Sequence, residues 1–214
     1  MIISHKLKVI FIKTKKVAGT SFEIALSKYC GESDIITPIS DEDELIRKDM
    51  GYKCAQNYNN PKWNTPNFSF LKSKFYNHID AKSIKNLVPH DIWDNYLKIS
   101  FSRDPCEVVI SHYFYDTGGV IPFEDYINKY SSLSENFNIT HIHGINVIDY
   151  MIKYENLQQD ISLLEKKINA PGLYQTFARI TAKGNIRPPD ATVGVMFTEE
   201  LKDYVQKKAR LSAG

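Results

Sequence analysis

The sequence predicts an α/β domain with a mostly parallel central sheet flanked by helices, and three observations lead there. Apolar, β-rich runs at 7–12, 97–102 and 147–154 are each followed by a stretch of helical periodicity. The first two runs end abruptly in charge, at "KTKK" and at "RDP". A chain of 214 residues buries one sizeable core, so residues 1–214 are read as a single domain.

Residues 7–12 read as a short buried strand. Thr20 then opens a helix: Thr20 and Glu23 fit a capping box, and Phe22, Ala25, Leu26 and Tyr29 recur at helical spacing before Gly31 ends it. From 32 to about 75 the pattern weakens into the acidic run "DEDELIRKD" and the turn-rich, aromatic "GYKCAQNYNNPKWNTPNFSF", read as a variable insertion. A helix around 81–87 precedes the strand 97–102. Pro105 suits the first turn of the next helix, which Val108, Val109 and His112 carry to Asp116, before Gly118 and Gly119. Further helices are predicted over 122–130, 157–168 and 198–209, with the strand 147–154 between the first two.

The totals exclude several classes. A net charge of +2 gives no whole-surface attraction to nucleic acid or anionic lipid, so any anion site is local. With 22 lysines against 5 arginines, arginine placement is the more informative signal. Cys30, Cys54 and Cys106 are odd in number and widely spaced, which suggests reduced thiols in a cytoplasmic protein rather than a disulfide framework or zinc site. No apolar run approaches the roughly 20 residues that span a bilayer, and Lys6, Lys8 and Lys13 interrupt the N-terminal run in a way unlike a signal peptide. Oligomeric state leaves no mark on the sequence.

In the stretch "KTKKVAGTSFEIALSKYCG", residues 13–31, a strand runs through a tight glycine loop into a helix N-terminus. Unpaired amides and the helix dipole then point at the loop and make an anion site. A nucleotide-kinase P-loop needs GxxxxGK[ST], whereas Gly19 is followed directly by Thr20 and Ser21 and the lysines come first. The segment Lys15-Lys16-Val17-Ala18-Gly19-Thr20-Ser21 resembles the 5′-phosphosulfate loop of the sulfotransferases, usually a strand, Pro-Lys-Thr-Gly/Ala-Gly-Thr-Ser, and a helix. The resemblance implies the P-loop-like sulfotransferase fold and 3′-phosphoadenosine 5′-phosphosulfate (PAPS) as donor, with adenosine 3′,5′-bisphosphate (PAP) as product. It places Lys16 at the family's catalytic lysine, on the bridging oxygen, and Lys15, Ala18, Gly19, Thr20 and Ser21 around the donor. No metal is expected, because a sulfuryl group carries less negative charge than a phosphoryl group and preorganised lysine and amide donors suffice.

The second charged strand end agrees. In "FSRDPCEVVISHYFY" Arg103 is followed eight residues later by Ser111, the spacing of the family's 3′-phosphate element. Arg103 offers a planar fork and Ser111 a hydroxyl from the second helical turn, while Asp104 caps the helix or orients Arg103. "MIKYENLQQDI" resembles a mainly structural family segment, and "AKGNIRPP" puts Lys183 and Arg187 where relatives often have a basic loop over the nucleotide. The match is strongest to the membrane-type carbohydrate sulfotransferases and their bacterial relatives. It departs where Lys15 replaces the usual proline, Val17 a common threonine and Val108 an arginine, and where relatives continue past "FTEELKDYVQKKA".

Transfer to a hydroxyl needs a base, and His78 in "NHIDAKSIKNL" is the first candidate, matching a family histidine. His90 and His112 are less well placed, His112 because it follows Ser111 and points elsewhere on the helix. His141 and His143 lack further metal ligands nearby, and Glu23 and Glu42 are reserve bases. Tyr52, Tyr58, Trp63, Phe68, Phe70, Phe75 and Tyr76 fall within or just after the variable stretch, on the acceptor side, and suit sugar rings as well as a core. The acceptor expected from the resemblance is a glycan hydroxyl. Rival readings are a degenerate nucleotide-binding scaffold and a P-loop nucleotide kinase.

Overall fold

The computed structural model describes residues 1–59, 74–129, 133–180, 182 and 186–210. Strands β1 (Ile2–Ser4) and β2 (Val9–Phe11) form a hairpin, followed by α1 (Gly19–Ser27), β3 (Ile35–Ile36) and α2 (Asp41–Asp49). After α3 (Ala81–Leu87) and α4 (His90–Asn95) come β4 (Leu97–Ser102), α5 (Pro105–Thr117), α6 (Phe123–Lys129) and α7 (Glu135–Thr140). The short pair β5 (His141–Ile142) and β6 (Ile145–Asn146) leads to β7 (Tyr150–Lys153), and α8 (Leu157–Lys167), α9 (Leu173–Ala178), α10 (Val193–Met196) and α11 (Glu199–Lys208) complete the described elements.

The protein is α/β, with a five-stranded mixed sheet in the order β3-β1-β2-β4-β7. The sheet is mixed: β2, β4 and β7 are parallel neighbours, while β1 runs antiparallel to both β2 and β3, so four of the five strands point the same way and β1 is the exception. The reason is local. The residues before Val9 form a turn in which Lys8 takes a left-handed φ of 53°, and antiparallel strands need only such a turn where parallel ones need a crossover.

Side-chain alternation divides the core. Val9 and Phe11 of β2 face one layer with Phe22, Leu26, Ile161 and Phe177, while Ile10 and Ile12 face the other with Phe75, Ile79, Ile84 and Trp93. A third cluster, Cys106, Val109, Tyr113, Tyr126, Ile127 and Val205, joins α5, α6 and α11. Because β2, β4 and β7 are parallel, their C-terminal ends lie on one edge. The loops carrying Lys16, Arg103 and Tyr154 therefore leave the sheet side by side.

Several boundaries differ from expectation. The α1 N-cap is Ala18, with no side-chain capping bond, and the helix ends at Ser27 rather than near Gly31. The Thr20–Glu23 capping box does not form. Glu23 is fully buried, 2.8 Å from Lys13 Nζ and 2.8 Å from the Met1 amine, with Arg47 Nη2 at 3.6 Å. Burial alone would raise the Glu23 pKa, but these cations hold it well below the usual carboxylate range. The acidic run is the ordered helix α2, anchored by the fully buried Arg47. Helix α5 starts as predicted, with Pro105 in its first turn and the Asp104 carboxylate accepting from the amides of Cys106 (2.9 Å) and Glu107 (3.2 Å).

Candidate functional site

The loop after β2 is fastened on both sides. The Thr14 hydroxyl donates to the Phe101 carbonyl at 2.8 Å, tying the loop to the end of β4. Asn136 holds Lys15 reciprocally, accepting from its amide at 2.8 Å and donating to its carbonyl at 3.0 Å. Just after these ties Lys16 (φ 59°) and Ala18 (φ 62°) take left-handed conformations that side-chain-bearing residues rarely adopt, so the surrounding bonds impose the loop's shape. The first intrahelical bond of α1 runs from the Phe22 amide to the Ala18 carbonyl at 3.2 Å. The amides of Gly19, Thr20 and Ser21 precede it and have no intrahelical acceptor. Gly19 fits closely against the chain itself: a Cβ there would sit 3.1 Å from Lys13 Cγ and 3.4 Å from the Thr14 carbonyl.

At the end of β4, Arg103 donates from Nη1 to the Lys16 carbonyl at 3.0 Å and from Nη2 to Glu107 at 2.8 Å. Its guanidinium lies 4.0 Å over the Tyr154 ring. Glu107 also accepts from Arg187 at 2.5 Å and 3.3 Å, so one carboxylate links both arginines, and chiefly the Arg187 bonds hold its pKa below the usual value. The Lys16 ammonium sits 3.2 Å above the Tyr115 ring of α5.

These groups surround one cavity of about 610 Å³. Of the residues singled out in the sequence, Lys15, Lys16, Ala18, Gly19, Thr20 and Ser21 line it from the first loop. His78, Arg103, Ser111 and Arg187 line it as well. Lys183 lies outside the described residues, as do Trp63, Phe68 and Phe70. Lys15 turns its ammonium to Glu135, at 2.5 Å, so its tie to the loop is through its backbone. Phe75 is fully buried in the core and offers no face to a ligand. Glu42 and His90 are exposed and do not line the cavity.

His78 (φ 60°) places Nδ1 3.0 Å from the Lys13 carbonyl. A carbonyl only accepts, so Nδ1 carries the proton and Nε2 keeps its lone pair. Burial and then the Lys13 charge lower its pKa to about 3. His112 corrects the expectation that it points away: it lines the same cavity, and burial followed by the Lys16 charge lowers its pKa to about 4. Sequence reasoning also missed Tyr115, Tyr154 and Glu107. Tyr115 was detectable, because it stands four residues after Ser111 and so shares its helix face. Glu107 and Tyr154 carried no such signal, since their partners come from distant segments.

Among the described residues no group of three or more His, Cys, Asp or Glu side chains is disposed to hold a metal. His141 is stacked on Phe137 with ring centroids 3.7 Å apart, and no described helix is long and apolar enough to cross a membrane. No family model and no solved structure matches the chain. A protein of Archaeoglobus fulgidus, described as an uncharacterized protein, is 30% identical over 115 residues, which is 50% of this chain and 96% of the archaeal one. The two chains belong to one family. That relative's description carries no activity.

Proposed function

We propose that this chain is a sulfotransferase of the P-loop-like fold, moving a sulfuryl group from PAPS to a hydroxyl acceptor. One observation carries the reading: Lys16 and Arg103, 87 positions apart, meet over a single cavity, with the Arg103 guanidinium bonded to the Lys16 carbonyl. The cavity volume lies within the roughly 300–1,000 Å³ typical of small-molecule sites.

The donor supplies an activated sulfuryl group and a bisphosphate leaving group. The amides of Gly19, Thr20 and Ser21, with the positive end of α1, hold its anionic 5′ end. Lys16 neutralises the charge that develops on the leaving oxygen, moving off the Tyr115 ring to do so. Arg103, Ser111 and Arg187 hold the 3′-phosphate, which competes with Glu107 for both guanidiniums. A neutral imidazole takes the acceptor proton, and His78 and His112 each present one.

A binding-only scaffold has one observation in its favour, since Lys15 and Arg103 already pair with the carboxylates of Glu135 and Glu107. Transfer of radiolabelled sulfate from PAPS to a panel of hydroxyl acceptors decides between them. The sulfotransferase reading expects turnover, and a loss on the order of 10²–10³ in Lys16→Ala. Full activity in that variant contradicts the role of Lys16, and nucleotide binding without transfer to any acceptor favours the scaffold.

A further inference from the structure

A second cavity, of about 190 Å³, adjoins the first and shares the wall residues Thr14, Arg103 and His112 with it. Helix α5 separates the two by its periodicity. Pro105, Val108, Val109 and His112 form one face toward the smaller cavity, while Ser111 and Tyr115 face the larger. The smaller cavity's walls are largely apolar, including Phe101, Val108, Val109, Phe137, Met151 and Val205.

Most of its polar wall groups are engaged with the protein, although Arg103 Nε is a buried donor without a partner among the described residues. Asn136 is bonded at both amide ends to Lys15, the Thr14 hydroxyl donates to Phe101, and the Thr140 hydroxyl donates to the Asn136 carbonyl at 3.0 Å. His141 Nδ1 is 2.9 Å from the Phe137 carbonyl, and Glu135 pairs with Lys15. A sugar, polar on every side, would lose most of its water bonds there and find few replacements. A single aromatic ring loses none, and an apolar cavity of about 150 Å³ is large enough to hold benzene.

Resting on the sulfotransferase reading, we infer that this side cavity is the acceptor pocket, that it takes a compact phenol or similar alcohol rather than a glycan, and that His112 in the shared wall receives the hydroxyl proton. In the step, the acceptor oxygen bonds to sulfur and its proton passes to the His112 imidazole. The bond from sulfur to the bridging oxygen breaks, and its electron pair stays on the 5′-phosphate beside Lys16. Asp116 Oδ2, 3.9 Å from His112 Nδ1 and itself accepting from the Tyr126 hydroxyl at 2.6 Å, stabilises the imidazolium.

The test uses the full chain with phenol and methyl glucoside as acceptors, phenol binding followed by NMR, and PAP binding followed by calorimetry. Phenol is expected to be the better acceptor. Val108→Phe, which fills the cavity, is expected to lower kcat/KM for phenol by about tenfold or more while PAP affinity, which also reports folding, is unchanged. His112→Ala is expected to keep phenol binding and lose transfer. Preference for methyl glucoside, or phenol use unchanged in Val108→Phe, overturns the pocket. Transfer lost in His78→Ala but kept in His112→Ala overturns the proton assignment. If PAP does not bind, the donor reading fails on its own. Phenol binding that Val108→Phe blocks would still assign the cavity, and phenol binding indifferent to that variant would refute it.

Discussion

Two imidazoles, His78 and His112, share the cavity wall with cations and are held neutral, with pKa values of about 3 and about 4 against 6.5 for an ordinary histidine. Both values are depressed, so between 6.5 and those values the unfolded chain binds protons that the folded chain does not. Stability is therefore intact above pH 6.5 and is lost as pH falls toward 4. Urea midpoints across that window are expected to drop in the native sequence and to drop less in His112→Gln. A flat profile in both would contradict the burial of these rings. An anion in the cavity raises both pKa values, so PAP is expected to bind with proton uptake inside the same window, which calorimetry in buffers of different ionisation enthalpy detects. His78 was singled out from the sequence by resemblance alone, and the fold brings it to the cavity wall. His112 was not, because helical spacing from Ser111 alone takes no account of cavities on both faces of α5.

Helix α1 illustrates how one sequence pattern can serve two physical ends. Thr20 and Glu23 have capping-box spacing, yet Glu23 instead gathers Lys13, Arg47 and the Met1 amine into a fully buried cluster. Spacing along the chain could not reveal this, because Arg47 comes from α2, a helix whose own residues read as an acidic, variable run. Glu23→Gln leaves Lys13 buried without its counter-charge, while Arg47 keeps Glu44, and is expected to destabilise the fold by about 3–5 kcal/mol, measured by urea unfolding with an unchanged m-value. A loss under about 1 kcal/mol would show that the cluster is not a structural anchor. Lys13 also packs against Gly19, so the same change is expected to loosen the anion loop. By contrast, β4 and α3 occupy 97–102 and 81–87 as predicted, and α5 and α11 begin where Pro105 and Thr198 signal them. Apolar runs, caps and proline act locally, and a sequence shows local forces directly.

Across the whole molecule, the three parallel strands set the site. The parallel pairing of β2 with β4, and of β4 with β7, delivers the Lys16 loop, Arg103 and Tyr154 to one sheet edge, and β1, antiparallel to both its neighbours, and β3 extend the sheet away from it. The meeting of Lys16 with Arg103 was legible because each follows a strand end. The Glu107 link between Arg103 and Arg187, and the apolar side cavity behind α5, were not, because they depend on which segments the fold brings together. The central claim is that one cavity grips both ends of a doubly phosphorylated adenosine. Its most direct test is calorimetric titration with PAP and, separately, with ATP and magnesium, on the native sequence, Lys16→Ala and Arg103→Ala. The account predicts preference for PAP and weaker PAP binding in both variants; preference for ATP with magnesium, or PAP affinity indifferent to both substitutions, would contradict it.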